Sequence, residues 1–194
     1  MGWMDAILGR TKLKKPNMDR LFSLSTAGPA LSDEADLAPS GRGAVCLSPV
    51  EGGEFSSVER ELRDLVAVAC RGRDFHGQVD IRRDDLGYVW VIFTDPELEE
   101  QVALVHLAGG ELESSGFGEQ LLAAVFRLQP TGGAEHDPVY LIYNYKRGKF
   151  YPFVPTAGRN RDNATEFRVA SALGGVMPIE QDTARWFALW DCPV

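Results

Sequence analysis

The stretch Tyr140-Leu141-Ile142-Tyr143-Asn144-Tyr145-Lys146-Arg147-Gly148-Lys149-Phe150-Tyr151-Pro152-Phe153 carries the plainest structural signal in the chain. Aromatic and aliphatic residues fill both halves, and a short basic, glycine-containing break separates them. That is the pattern of a β-hairpin. Strands are expected over 139–145 and 149–154. A two-residue Arg147-Gly148 turn sets Lys146 opposite Lys149 and Tyr145 opposite Phe150, with Gly148 taking the positive φ that the turn requires. Alternation then places Tyr143, Tyr145 and Phe150 on one sheet face and Tyr140, Tyr151 and Phe153 on the other.

Moving toward the N-terminus, the strands 79–83 and 88–94 flank Asp84-Asp85-Leu86-Gly87, a second hairpin. Tyr88 to Phe93 shows no polar alternation, so this strand needs cover on both faces. Further strands are expected at 44–47 and 121–128, while 102–107 fits a strand or the start of a helix. A short helix is expected near 111–115. Ser56-Ser57-Val58-Glu59 reads as a capping box opening an amphipathic helix that runs to Cys70. Asn163 with Glu166 reads as the cap of a last helix, with Phe167, Val169, Ala170 and Leu173 on its inner face. The tail carries Trp186, Phe187, Leu189 and Trp190 and is expected to dock, since each large apolar side chain left in water costs about 2 kcal/mol. The fold class is α+β: a twisted, mainly antiparallel sheet with helices packed on one face. Residues 1–42 read as a basic N-terminal arm and linker, with 43–194 as a single α+β domain.

The chain has 194 residues, 44% of them hydrophobic and 25% charged, an ordinary globular balance. Its net charge of −8 excludes a broadly basic nucleic-acid surface. Cys46, Cys70 and Cys192 form no CxxC, which argues against a disulfide framework and a thiolate zinc site. GxxxxGK[ST], HExxH and GxSxG are absent, and Gly116-Phe117-Gly118 lacks the third glycine of a dinucleotide loop, because position 121 is leucine. His76, His106 and His136 lie in unrelated segments. Cys46 and Cys70 sit in apolar runs and read as buried hydrophobes. No catalytic residue, metal or cofactor is assigned. No signal peptide or membrane-length apolar run is visible, so the expected location is cytoplasmic.

Two features invite a binding role. The hairpin offers an aromatic face tipped by cations: Tyr145, Lys146, Arg147, Lys149 and Tyr151 form a candidate partner surface, while the alternative packs the same rings under helices and tail. An RNA-binding reading would use these rings for stacking, but the segment fails the RNP1 pattern. The second feature is the arm. Residues 1–24 hold five bases against two acids. Trp3 anchors a short amphipathic turn, and Lys12, Lys14 and Lys15 follow it, which suits a protein partner or peripheral contact with an anionic membrane; the alternative packs the arm on its own domain or a second copy. Arg159 and Arg161 precede a helix start, where anions bind. With Asp162 and His106 they are the residues of a small-enzyme or ligand-binding reading, while the alternative has Asp162 or Asn163 capping the helix.

Met1-Gly-Trp-Met-Asp-Ala-Ile-Leu-Gly-Arg-Thr-Lys12, Pro16-Asn-Met-Asp-Arg-Leu-Phe22, Gly116-Phe-Gly-Glu-Gln-Leu-Leu122, Tyr145-Lys-Arg-Gly-Lys-Phe-Tyr-Pro-Phe153 and Arg161-Asp-Asn-Ala164 occur in this order. Together they resemble the PspA-associated protein PspAB family of actinobacteria and some archaea. Residues 28–42 and 71–83 match weakly. The resemblance implies a cytoplasmic accessory protein of the phage-shock, or envelope-stress, response, with a PspA-like protein as partner. PspA-type proteins coat damaged membrane. The resemblance carries no catalytic or metal-binding residue. The order of helices and hairpins also resembles type III secretion chaperones, a dimeric binding module, by fold analogy alone.

Overall fold

The computed structural model describes residues 16–49, 59–60, 63–64, 77–132 and 138–194. In chain order the elements are β1 (Leu37–Leu47), β2 (Gln78–Arg83), β3 (Val89–Thr94), α1 (Leu98–Leu112), β4 (Leu121–Pro130), β5 (Val139–Asn144), β6 (Lys149–Phe153), β7 (Pro155–Thr156), β8 (Asn160–Arg161) and α2 (Asn163–Leu173). Six of them form one antiparallel sheet in the order β2-β3-β1-β4-β5-β6, and β7 pairs with β8 as a small ribbon. The expected α+β class holds.

Both sheet faces are apolar, and alternation divides them. Val45, Val91, Phe93, Phe126, Leu141 and Tyr143 lie in the core shared with Val102 and Val105 of α1 and with Val169 and Leu173 of α2. Cys46, Trp90, Ile92, Ile142, Tyr151 and Phe153 point the other way, into a second core. The cover there is the tail, through buried Trp186 and Val194 and half-buried Leu189 and Trp190. Phe153 and Trp190 meet edge to face, with centroids 5.0 Å apart. The unbroken apolar run of β3 thus has the two-sided cover that its composition demands.

Several expectations shift. β1 begins at Leu37 rather than Ala44. Its first half contains Pro39, Ser40 and Gly41, which read as loop residues. The register steps between Pro39 and Arg42, and Gly41 takes φ +81° there. Residues 37–39 pair only with β4, because the β3 ladder begins at Arg42. A proline is tolerated where one side of the strand asks nothing of its nitrogen. Upstream, Leu21, Leu24, Ala27, Leu31 and Ala35 are buried in the first core. The described part of the arm and linker therefore belongs to the packed body. The Asn17 amide donates to the Tyr145 carbonyl at 2.9 Å.

Residues 102–107 are helical, inside α1. The capping box at 56–59 and most of the helix expected over 56–70 lie outside the described residues; 59–60 and 63–64 are helical, with Arg63 on Glu59 at 3.1 Å. The cap of α2 is Asp162, which accepts from the Thr165 amide at 3.0 Å, and not Asn163. Glu166 turns inward, and Phe167 is 55% exposed rather than on the inner face.

The hairpin registers as Tyr143↔Phe150 and Asn144↔Lys149, so Tyr145-Lys146-Arg147-Gly148 is a four-residue loop and not a two-residue turn. The difference is a slip of two, which keeps every side chain on its expected face. The β6 edge is closed by residues 178–180: the Phe150 amide donates to Pro178 at 2.9 Å, and the Glu180 amide to Phe150 at 2.8 Å.

The β2–β3 turn forms where expected, and one side chain organises it. Asp84 accepts from the Leu86 and Tyr88 amides at 3.0 and 2.9 Å, and from the Trp90 indole N–H at 2.9 Å. Asp84→Ala leaves those donors without their partner. The expected loss is about 1–3 kcal/mol in urea unfolding, whereas Asp85→Ala next door changes stability by less than ~0.5 kcal/mol.

Candidate functional site

The hairpin tip is held from below. Gly148 takes φ +64°, and a Cβ there would lie 3.1 Å from the Asn17 side chain. The Asn144 carbonyl accepts from the Arg147 and Gly148 amides. Tyr143 donates its hydroxyl to the Asn17 carbonyl at 2.6 Å. Tyr145 is fully buried and meets Tyr143 edge to face at 5.6 Å. Burial pushes both phenols far above their ordinary range, so both stay protonated. A Cβ on Gly109 of α1 would come within 3.1 Å of both Met18 and the Tyr145 hydroxyl, so the missing side chain at that position lets the tip and the segment at Met18 seat against α1.

The three cations of the hairpin have separate fates. Arg147 and Lys149 both reach Glu180, Arg147 through its Nε and Lys149 at 3.5 Å. Glu180 is only 3% exposed. Burial pushes its carboxyl up, but the Arg147 hydrogen bond, the Asp182 amide and the two positive charges outweigh that and hold it at about 2. Among the described residues, Lys146 has no hydrogen-bonding or ion-pair partner. Tyr151 is buried on the opposite face. The hairpin therefore offers a single uncommitted cation and no open aromatic face.

Arg161 is committed as well. It donates to Glu166 at 3.0 Å and to the Trp186 carbonyl at 2.9 Å, with its guanidinium 5.3 Å from the Phe153 ring. Glu166 also accepts the Val154 amide at 2.9 Å. Arg159, with φ +55°, stands in solvent paired with Asp191 at 2.6 Å. The two arginines do not converge on one open anion site. Asp162 caps α2, and its carboxyl is lowered by the Thr165 hydroxyl and amide. His106 lies on α1 against Phe22, at 4.5 Å between rings. Among the described residues no group of His, Cys, Asp and Glu could hold a metal ion. Trp3, Lys12, Lys14 and Lys15 lie outside the described residues.

What the structure does bring together is a cleft of about 510 Å³ between the second sheet face and the tail. Trp90, Tyr151 and Cys46 form its floor; Leu122, Leu189 and Trp190 line it. Lys146, Arg159, Asp84 and Asp191 lie around it, with Leu86 78% exposed and Phe187 58% exposed. Three residues singled out from the sequence (Lys146, Tyr151 and Arg159) meet here. Asp84, Leu86 and Trp190 were read only as turn or packing residues, and Glu180, outside the cleft, was not singled out. Burial pushes the Cys46 thiol up and the Cys192 thiol up to about 12, which keeps both protonated and unreactive.

The Glu180 clamp makes a stability prediction. Its folded carboxyl lies below its unfolded one, so the stabilisation is complete above the ordinary carboxylate range near pH 4.3. It is lost as pH falls from there toward about 2. Glu180→Gln is expected to lower stability at pH 7 by about 1–3 kcal/mol, reduced from a fully buried pair because both cations are part-exposed. The same variant flattens the acid limb of the stability–pH curve, measured by urea titration at each pH.

No helix among the described residues is long and apolar enough to cross a membrane. Comparison with curated proteins and with solved structures gives no significant match. The model of one family, PspA associated protein B (PspAB), matches residues 1–194. That match spans the packed body, the hairpin with its buried clamp and the tail that shapes the cleft, and it places this chain in the PspAB family.

Proposed function

We propose that this protein is a non-enzymatic accessory protein of a PspA-type envelope-stress response, acting in the cytoplasm as an adaptor that binds a PspA-like protein. Family membership supports the association with PspA. The single structural observation that carries the binding mode is Lys146. It is a cation without a partner among the described residues, on a tip whose backbone is fixed by Asn17, Asn144 and Gly148. A fixed backbone spares the cost of ordering the loop when the charge meets an anionic partner group, leaving only the lysine stem to be ordered. Arg147 and Lys149 contribute less outward field, since both lean on the Glu180 carboxylate, which offsets one of their two charges. Trp3, Lys12, Lys14 and Lys15 supply the second contact, made with the same partner or with the anionic membrane on which such a partner acts.

The test is surface plasmon resonance between the full chain and a purified PspA-like protein. Lys146→Glu is expected to weaken binding by about tenfold, chiefly through a slower on-rate with steep salt dependence. Lys12, Lys14 and Lys15 changed together to Glu weaken it independently. Thermal unfolding of Lys146→Glu stays at the wild-type value, because Lys146 makes no ion pair among the described residues. Absence of binding by the unaltered chain overturns the adaptor reading. Binding that both variants leave intact moves the contact elsewhere.

A further inference from the structure

The geometry points to a ligand site in the cleft between the sheet and the tail, for a small amphiphile with one anionic head group. The cleft's volume, about 510 Å³, lies in the ~300–1,000 Å³ range of small-molecule sites. Its floor is apolar and aromatic, built from Trp90, Tyr151 and Cys46, with Leu122 and Trp190 beside them. Such a surface takes an alkyl chain or ring system and removes it from water.

The charges around the cleft decide the head group. Asp84 keeps its negative charge, but its oxygens already accept from two turn amides and the Trp90 indole, which leaves little of it to hold a ligand. Arg159 and Asp191 neutralise each other. Lys146 alone has no partner among the described residues. An apolar chain bearing a carboxylate or sulfonate satisfies both halves of the site, with its chain on the aromatic floor and its head at the Lys146 ammonium. A cationic amphiphile would bring like charge to Lys146. The unused donors of Lys146 thus select an anion, independently of any protein partner.

Decanoate, decanol and decyltrimethylammonium, each below its micelle concentration, separate the contributions when titrated into the full chain. Binding is followed by calorimetry and by tryptophan emission, since Trp90 and Trp190 line the cleft. Decanoate is expected to saturate at one site and to bind about tenfold tighter than decyltrimethylammonium. Lys146→Glu reverses that order. Leu122→Trp, which fills the cleft without touching its charges, weakens both ligands. The proposal is overturned if decanoate shows no saturable binding, if decanol binds as tightly as decanoate, or if Lys146→Glu leaves decanoate affinity unchanged. Thermal unfolding of both variants is recorded alongside; if Lys146→Glu unfolds early it is replaced by Lys146→Met, which keeps the stem and loses the charge, and if Leu122→Trp does it is replaced by Leu122→Phe.

Discussion

Residue 180 ties three parts of the molecule together, and the rest of the architecture depends on it. Its amide and the Phe150 carbonyl close the outer edge of β6. Its carboxylate gathers Arg147 and Lys149 from the hairpin tip. Its carbonyl accepts the Trp186 indole N–H at 2.9 Å, where the tail turns onto the second sheet face. A buried carboxylate is tolerated only when its charge is met, and here two cations and an amide meet it. The same contacts end the sheet, stiffen the hairpin and aim the tail.

The tail is needed because the sheet is apolar on both sides and the helices serve only one. Baring the second face would expose Trp90, Tyr151 and Phe153 together, at about 2 kcal/mol or more for each. An irregular segment can cover such a face because its side chains, rather than a ladder of backbone bonds, provide the contact. Its backbone is fixed at few points: Arg161 holds the Trp186 carbonyl, and Arg127 and Tyr140 approach the Val194 carbonyl at 3.5 and 3.4 Å. The cover is therefore incomplete between the tail and the β2–β3 turn, and the cleft is the part of the face left open. Fold and candidate site share one cause.

Much of the sheet was legible. Val89 to Phe93 is β-branched and aromatic throughout, and both hairpins carry recognisable turns, so their four strands could be placed from local pattern, as could 121–128 and the second half of β1. The register of the second hairpin was not legible, because Lys-Arg-Gly-Lys fits a two-residue or a four-residue connection and only the packing of Tyr145 beneath the tip decides. The first half of β1 was hidden by Pro39, Ser40 and Gly41, whose strand character depends on the absent β3 neighbour at that point. Leu24 and Leu31 were hidden by the Ala, Pro and Ser around them. The α1 segment hovered between strand and helix because its burial removes the polar stripe that reveals a helical period. The cleft could not be read at all: position 46, the 84–90 turn, position 146 and the tail meet only through long-range pairing. Lys146 drew notice as one of three bases, and only Glu180 separates it from the other two.

The strand order also sets a sequence of events in time. The two hairpins join neighbours in the chain, but β1 lies at the centre of the sheet and waits for β3 and then β4 to arrive from positions 89 and 121 onward. Residues 186–194 emerge after all six strands. During synthesis, which proceeds at roughly 5–20 residues per second, a finished sheet spends its first moments with one oily face uncovered. That interval is the point at which a nascent chain of this design is most exposed to sticking to its neighbours, and a holding chaperone is most useful to it then.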